Sequence, residues 1–305
     1  MDELFDHAVY GGKMLRTKII LHVFNEIATN KEKEELREKA MILGICVQLC
    51  ITAILVIDDV MDEAETRREK TCWHKLENSA VIHANMMNSF VYTLLKKYFR
   101  NDPNYSNFLE AFMNTEHVTY IGQNMDDNLS NPKELEKYKM PLFKKMATLK
   151  TAHCTFVLSV KLCLYLLNIT DTKLHDWATH LCEKIGILFQ AQDDYIDVYG
   201  DSNVTGKIGT DIKNGKCTWM VVTSLTIMNK HQRKLFQLHF GKPEEASESI
   251  VKEIFQQIKL DEKFQTFETE SMKDIEDSIT EVDENYKNIA ESITHITKFL
   301  HRRNK

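Results

Sequence analysis

The feature that most constrains the fold is the scarcity of helix breakers. The chain has only 10 Gly and 4 Pro among 305 residues, so few positions force a turn. Apolar residues recur every three or four positions, for example at Leu181, Ile185 and Leu188, which is the period of a helix with one buried face. No stretch of useful length alternates with period two. We therefore predict an all-α protein.

Polar breaks separate the periodic segments. They fall near residues 30–33, 101–104, 130–132, 168–170, 200–215 and 239–243. The segments between them are roughly 20–30 residues long, which exceeds the usual length of a globular helix. No linker rich in Gly, Ser or Pro divides the chain. We expect residues 1–305 to form a single domain, a bundle of long helices joined by short loops.

Composition narrows the class of protein. A net charge of −6 argues against nucleic acid as a partner. Seven cysteines, an odd number without a C-x-x-C pair, predict reduced thiols. The first residues lack a signal-peptide pattern, and the longest apolar run, residues 45–57, is too short to span a bilayer. We therefore expect a cytoplasmic protein without stable membrane insertion.

Two D-D-x-x-D clusters carry the functional signal. They are DDVMD at 58–62 and DDYID at 193–197, each directly after an apolar segment. On a helix Asp58 and Asp62 lie one turn apart on one face, and so do Asp193 and Asp197. A single cluster of this kind is typical of a solvated acidic surface. Two copies, each followed by basic residues, indicate a shared role.

The chemistry that these clusters favour is metal-assisted departure of a diphosphate. Mg²⁺ prefers hard carboxylate oxygens and readily shares phosphate oxygens of a substrate. We expect three Mg²⁺ ions that bridge a diphosphate, with Arg67, Arg68, Lys207 and Lys216 neutralising its remaining charge. The metals make diphosphate a good leaving group, and the apolar helices would keep water from the cation left behind.

The stretch 200–215 holds four of the ten glycines together with Lys207 and Lys213. Two interpretations stay open for it. It is either a flexible connector or a mobile lid that closes over an anionic substrate.

Several motifs resemble those of the trans-isoprenyl diphosphate synthases, most closely the farnesyl diphosphate synthases. They are GGKMLR at 11–16, LVIDDVMDEAETRREKTCWHK at 55–75, IGQNMD at 121–126, LKTA at 149–152 and FQAQDDYIDVYGDSNVTGKIGTDIKNGKC at 189–217. The resemblance implies an isoprenoid-synthase helical bundle around a central cavity, a small prenyl diphosphate as substrate, and a homodimer. We expect the N-terminal helices usual in the family to be absent, since GGK follows the first ten residues.

The resemblance also implies roles for individual residues. The metal ligands would be Asp58, Asp62 and Asp193, with Asp197 in support. The allylic diphosphate would be held by Arg67, Lys150, Lys207 and Lys216. Isopentenyl diphosphate would be held by Lys13, Arg16 and Arg68. The residues at the reaction centre would be Lys150, Thr151, Gln190 and Lys207.

The chain departs from the family pattern on one side of the site. Leu15 and Thr17 stand where the family usually has Asn and Gly around the Arg of GGK-x-x-R. Ile51 occupies a position where a Gln or His commonly contacts isopentenyl diphosphate, and Glu69 replaces a usual Gly. At the expected cavity floor, the usual pair of aromatic residues is replaced by Ala53 and Ile54.

These departures favour an enzyme that ionises a prenyl diphosphate without using a second substrate. Some terpene synthases of insects resemble this family in that way. We therefore predict a class I terpene synthase that converts farnesyl diphosphate to a sesquiterpene. The alternative is a prenyltransferase, a farnesyl or geranylgeranyl diphosphate synthase. A third hypothesis is an inactive regulatory subunit of a synthase.

Overall fold

A computed structural model of the chain describes residues 2–9, 14–200 and 209–300. Within these residues the fold is all-α, as predicted. The helices are α1 (Asp2–Leu4), α2 (Leu15–Ile27), α3 (Asn30–Met61), α4 (Trp73–Leu76), α5 (Ala80–Phe99), α6 (Tyr105–Leu129), α7 (Met140–Ala147), α8 (Leu158–Leu166), α9 (Thr172–Tyr199), α10 (Trp219–Ile227), α11 (Lys230–His239), α12 (Glu245–Gln257), α13 (Leu260–Asp277) and α14 (Lys287–Thr294). Short 3₁₀ segments lie at Pro132–Lys137, Ser278–Glu281, Glu284–Tyr286 and His295–Phe299.

Local sequence explains where the two longest helices begin. Thr29 and Glu32 form a capping box at the start of α3, since each side chain accepts the other residue's backbone N–H. At the start of α9, Asp171 accepts the backbone N–H of Leu174 at 2.8 Å. The breaks read from the sequence outside 200–215 coincide with observed helix boundaries or lie next to them.

A π-helical segment interrupts the long helix that runs from Met140 to Leu166. It covers Thr148–Val157, between α7 and α8, and a second π-helical segment covers Phe5–Val9. Wider i→i+5 turns of this kind are uncommon and are found mostly at functional sites. Helical spacing of apolar residues cannot reveal them, because the apolar face continues through the segment.

A short β-hairpin follows α3. Strand β1 (Thr66–Arg67) pairs antiparallel with β2 (Lys70–Thr71). The two residues of its turn, Arg68 and Glu69, have φ of 55° and 64°, the left-handed values that a tight hairpin turn requires. The sequence did not predict this hairpin, because two-residue strands carry no readable alternation.

The core consists of two apolar clusters that meet at α9. One packs α2, α3, α5 and α8 and includes Phe24, Phe99 and Phe108. The other packs α7 and α10–α13 and includes Phe236 and Phe255. In the described part of the chain, two helices are long and apolar enough to cross a membrane, Asn30–Met61 and Met140–Leu166. Their most apolar windows are 72% and 67% buried inside the protein, so both are core helices of the bundle.

Two glycines let the neighbouring helices approach the π-helical segment. A Cβ on Gly122 of α6 would lie 2.3 Å from the backbone nitrogen of Lys150. A Cβ on Gly186 of α9 would lie 2.2 Å from the Cβ of Ala152. Helices α6 and α9 both pack on this segment, so the missing side chains set how closely the three elements can come together.

We predict that Gly122→Ala lowers the free energy of unfolding by roughly 2 kcal/mol. Alanine gains about 1 kcal/mol of helix propensity, but overpacking against backbone atoms costs about 1–3 kcal/mol or more. Urea denaturation measures the difference. Gly44→Ala is the matched control, because its added Cβ would lie 2.8 Å from the side-chain methyl of Thr17 but no closer than 3.3 Å to a backbone atom of that residue. Equal urea midpoints for the two variants would contradict the prediction.

Candidate active site

The two acidic clusters face one cavity of about 510 Å³. Residues of both core clusters line it, so the cavity lies where these clusters meet. Most of the site residues read from the sequence line it, namely Arg16, Ile54, Asp58, Asp62, Arg67, Arg68, Lys150, Thr151, Gln190, Asp193 and Lys216. Lys13 and Lys207 lie outside the described residues. Ala53 and Asp197 are described but do not line the cavity.

The first cluster occupies the last turn of α3. Asp58 belongs to that turn, and Asp62 caps it through its backbone N–H, 2.9 Å from the carbonyl oxygen of Asp58. The C-terminal end of a helix carries partial negative charge, so carboxylates there are destabilised by the helix as well as by each other. These side chains therefore need cations close by.

Lys150 supplies the first of these cations. Its Nζ donates to Asp126 Oδ2 at 2.6 Å and to Asp58 Oδ1 at 3.2 Å. Gln123 also donates to Asp58 Oδ1, at 2.8 Å. Lys150 thus joins α3 to α6 from the π-helical segment.

Lys216 supplies the second cation. Its Nζ donates to Asp62 Oδ1 at 2.6 Å and to Asp126 Oδ2 at 3.1 Å. Only 9% of its side chain is exposed, and only 7% of that of Asp126. The two lysines therefore connect Asp126 on α6 to the end of α3. The motif IGQNMD includes Asp126, but the sequence alone did not indicate a role for this residue.

The pKa values follow from this pairing. Burial opposes ionisation of the Asp58 carboxyl, but Lys150, Arg67 and Lys216 outweigh it and hold its pKa well below the usual range. Burial also disfavours the charged Lys150, but Asp126 and Asp58 outweigh it and raise the pKa of the ammonium well above 10.5. Both groups are therefore charged at neutral pH.

The hairpin brings Arg67 onto the same cluster. Its Nε donates to Asp59 Oδ1 at 2.7 Å and its Nη2 to Asp58 Oδ2 at 3.1 Å. The turn beyond it is strained, because Arg68 and Glu69 both have positive φ without being glycine. Arg68 donates to the carbonyl oxygen of Ala8 at 2.9 Å, which fixes the hairpin to the N-terminal segment.

The second cluster lies in the last two turns of α9. Asp193 lines the cavity. Asp194 is buried and accepts the backbone N–H of Trp219 at 2.7 Å and the side-chain amide of Gln190 at 2.8 Å. Burial raises the pKa of the Asp194 carboxyl to about 8, although both hydrogen bonds favour its charged form. Asp194 thus attaches the start of α10 to α9.

The Asp197 carboxylate accepts hydrogen bonds from the backbone. It accepts the backbone N–H of Thr210 at 3.2 Å and of Asp211 at 3.0 Å. A Cβ on Gly209 would lie 2.0 Å from the carbonyl oxygen of Asp197, so a larger residue does not fit there. Asp197 therefore anchors the described end of the glycine-rich stretch.

Polar side chains of the π-helical segment complete the cavity wall. The Thr151 hydroxyl donates to Gln190 Oε1, and Arg16 donates to Thr155 Oγ1 at 3.2 Å. Two of the four residues expected at the reaction centre, Thr151 and Gln190, are thus in direct contact between the π-helical segment and α9.

Helical phase decides which residues of α3 border the cavity. Ile51, Ile54, Leu55 and Asp58 share the cavity face, whereas Ala53 is buried in the packing on another face. The small side chain at Ala53 therefore adds no room to this cavity, and the wall that Ile51 and Ile54 form is apolar.

The donor set suits a hard divalent cation. Seven carboxyl side chains and five Lys or Arg side chains border the cavity, and no histidine does so in the described part of the chain. Carboxylate oxygens of this kind match Mg²⁺. In this structure, the ammonium groups of Lys150 and Lys216 and the guanidinium group of Arg67 donate hydrogen bonds to the carboxylates.

Comparison with known proteins identifies the family. The polyprenyl synthetase family model matches residues 1–258. The farnesyl pyrophosphate synthase of Saccharomyces cerevisiae is 34% identical over 305 residues, covering 97% of this chain and 86% of the yeast protein. That of Panax ginseng is 35% identical over 280 residues, covering 89% and 81%. The chain belongs to the polyprenyl synthetase family.

Solved structures agree on the fold. The farnesyl diphosphate synthase of T. brucei, complexed with risedronate, superposes with a TM-score of 0.92 at 21% identity. The superposition covers 100% of this chain and 90% of the trypanosome chain.

These relatives overturn the terpene synthase prediction. The chain matches farnesyl pyrophosphate synthases along most of their length, which supports the prenyltransferase alternative. The structure gives a physical reason for the error. Ala53 was one of the two departures expected at the cavity floor, and it does not border the cavity.

We predict that Asp126→Asn lowers the free energy of unfolding by about 2–3 kcal/mol. Breaking a buried ion pair usually costs about 3–5 kcal/mol, but Asp58 and Asp62 still face the two lysines. The pKa of Asp126 is lowered despite burial, through Lys150 and Lys216. Its contribution is therefore present above the ordinary pKa of 3.8 and lost as pH falls below it.

Thermal denaturation measures the effect of the substitution, which should be the same at pH 7 and pH 5 and should shrink as pH falls below 3.8. The matched control is Asp127→Asn, because Asp127 is the next residue along and is exposed. If both variants unfold like the unmodified protein at pH 7, the two lysines do not depend on Asp126.

Proposed function

We propose that this protein is a magnesium-dependent farnesyl diphosphate synthase, which joins an allylic prenyl diphosphate to isopentenyl diphosphate. The observation that carries the proposal is the convergence of two carboxylate-tipped helices on one cavity that also holds Lys150, Arg67 and Lys216. The names of the relatives, at 34% and 35% identity, support it.

Asp58, Asp62 and Asp193 would hold the metal ions, three by our proposal. Their carboxylate oxygens are the ligand type that Mg²⁺ prefers. When bound, Mg²⁺ supplies positive charge that stabilises the departing diphosphate. Asp197 would support the site indirectly, through its hydrogen bonds to the backbone of Thr210 and Asp211.

The cationic side chains would bind the allylic diphosphate. Lys150, Arg67 and Lys216 border the cavity and already donate to carboxylates. A diphosphate would accept from the same donors while the carboxylates ligate metal. Lys207 would join them from the glycine-rich stretch, whose role as a lid is also part of this proposal.

The remaining walls would protect the carbon chain while the new bond forms. Ile51, Ile54 and Leu55 on α3 and Phe189 on α9 border the cavity and would help to keep water from the carbon chain, and an aromatic face favours nearby positive charge. The Thr151 hydroxyl is oriented by Gln190, which places a polar group in this otherwise apolar wall.

Isopentenyl diphosphate would bind beside α2 and the hairpin. Arg16 and Arg68 border the cavity there, and Thr155 and the carbonyl oxygen of Ala8 hold them in place. Lys13 would add a third cation. Glu69 also borders the cavity, but it is exposed, so water and salt weaken its repulsion of a diphosphate.

We also propose that the protein is a homodimer. Large apolar side chains are exposed on the neighbouring helices α5 and α6, among them Ile82 at 61%, Phe90 at 41% and Met113 at 60%. Exposed apolar faces of this kind mark interfaces, and methionines and aromatic residues are enriched there.

We further propose a single-domain, cytoplasmic protein. Helix α9 contributes to both core clusters, which supports one domain. All seven cysteines are free and buried, which supports a reducing compartment.

We predict that geranyl diphosphate, isopentenyl diphosphate and Mg²⁺ together yield farnesyl diphosphate. Asp58→Asn and Asp193→Asn should each lower turnover by roughly 100-fold or more, because each removes a charged metal ligand. Asp127→Asn should leave turnover unchanged. Chromatography of the dephosphorylated products measures all four proteins.

The same assay separates the other outcomes. Arg16→Ala should raise the KM for isopentenyl diphosphate more than that for geranyl diphosphate. Turnover of a prenyl diphosphate without isopentenyl diphosphate would refute condensation as the activity. A twenty-carbon product would refute the farnesyl assignment.

We predict that Ile82→Lys and Met113→Lys each convert the dimer to a monomer, because each buries a charge in an apolar interface. Light scattering after size exclusion measures the mass. Leu238→Lys on α11 is the matched control, since Leu238 is 57% exposed but lies on a different helix. If both variants, Ile82→Lys and Met113→Lys, remain dimers, the interface does not lie on α5 and α6.

A further inference from the structure

Three metal-binding side chains meet outside the cavity, between α2 and the C-terminal segment. His22 and Glu26 lie one turn apart on α2, and His295 begins the 3₁₀ segment His295–Phe299. One donor atom from each lies within 4.8 Å of the other two. In the part of the chain that the structure describes, this is the one group of His, Cys, Asp or Glu that meets this distance.

The separations are close to those of ligands around one ion. Metal–donor bonds of about 2.0–2.2 Å in a tetrahedral site place donors roughly 3.3 Å apart. His295 Nδ1 lies 3.1 Å from Glu26 Oε2, and His22 Nε2 lies 3.8 Å from the same oxygen. Small side-chain rotations would therefore bring all three onto one ion.

The state of the His22 nitrogen supports binding independently of these distances. Nε2 is buried and makes no hydrogen bond, although a buried polar atom normally has a partner. The ring itself is held in place, because it packs edge-on against Phe299 with centroids 5.3 Å apart. A cation bound by Glu26 and His295 would satisfy this nitrogen.

We propose that His22, Glu26 and His295 form a binding site for a divalent transition ion of the Zn²⁺ class. Two imidazoles and one carboxylate are ligands that suit Zn²⁺, Ni²⁺ or Cu²⁺ and not Mg²⁺. The site differs in chemistry from the cavity, which no histidine borders among the described residues. Glu26 and His295 are more than a third exposed, so an ion can reach the site from solvent.

The position gives the site a structural consequence. A bound ion would tie α2 to the last described segment of the chain, to which Phe299 belongs. Phe299 borders the cavity, and so does Arg16 from α2. The ion would therefore hold together two elements that form one wall of the cavity, without contacting the substrate.

The experiment measures Zn²⁺ binding to the full chain, purified without a histidine tag, stripped with a chelator and saturated with Mg²⁺. Titration calorimetry should show one tight site, together with a Zn²⁺-dependent rise in melting temperature. His22→Ala, Glu26→Gln and His295→Asn should each weaken binding by at least roughly tenfold and abolish that rise. Asp58→Asn should leave both unchanged, which separates this site from the cavity.

A second cluster offers a matched control. His153 Nε2 and His180 Nδ1 contact different oxygens of Glu183, at 3.3 Å and 3.5 Å, and these donors do not converge as the first three do. His180→Ala should therefore keep full Zn²⁺ affinity. Unchanged affinity in His22→Ala and His295→Asn would overturn the proposal, as would loss of affinity in His180→Ala. Metal-free melting curves show whether each variant is folded. If His22→Ala is unfolded, the affinity of His295→Asn decides the test, because His295 is more exposed.

Discussion

The repulsion among carboxylates at the ends of two long helices is the constraint on which this structure depends. Asp58 and Asp62 sit at the negative end of α3, and Asp193 sits near the negative end of α9. Like charges one turn apart destabilise an isolated helix. Lys150 and Lys216 offset the repulsion around α3 from elements that are distant in sequence. The site therefore exists only when the bundle is assembled, and its charges in turn help to hold the bundle together.

Close backbone approach is the second requirement. Lys150 reaches α3 and α6 because Gly122 lets α6 lie against the π-helical segment, and Gly186 does the same for α9. The chain has only ten glycines, and two of them lie where α6 and α9 pack beside the cavity. Packing and chemistry are thus coupled, since a larger residue at either glycine would move the wall that carries Lys150 and Thr151.

Much of this organisation could be predicted from the sequence, because helices and their breaks are local features. Periodicity placed Asp58 and Asp62 on one face before any contact was known. The central position of Asp126 could not be predicted in the same way, because its partners lie 24 and 90 residues away. The hairpin was also missed, since its turn consists of Arg68 and Glu69 where glycine or asparagine would have signalled it. Tertiary contacts, not local propensity, determine both.

The error about function arose from single positions. Ile51 and Glu69 were interpreted as loss of the second substrate, and Ala53 was interpreted as a change at the cavity floor. In the structure Ile51 and Glu69 do border the cavity, Glu69 from a strained, exposed turn, whereas Ala53 lies on another face of α3. One scaffold can host both condensation and cyclisation, and both reactions begin when a prenyl diphosphate loses its diphosphate. What separates them is whether a second diphosphate has cations to bind. Arg16 on α2 and Arg68 on the hairpin border the cavity, so under the proposed function they are the two positive charges available to a second diphosphate.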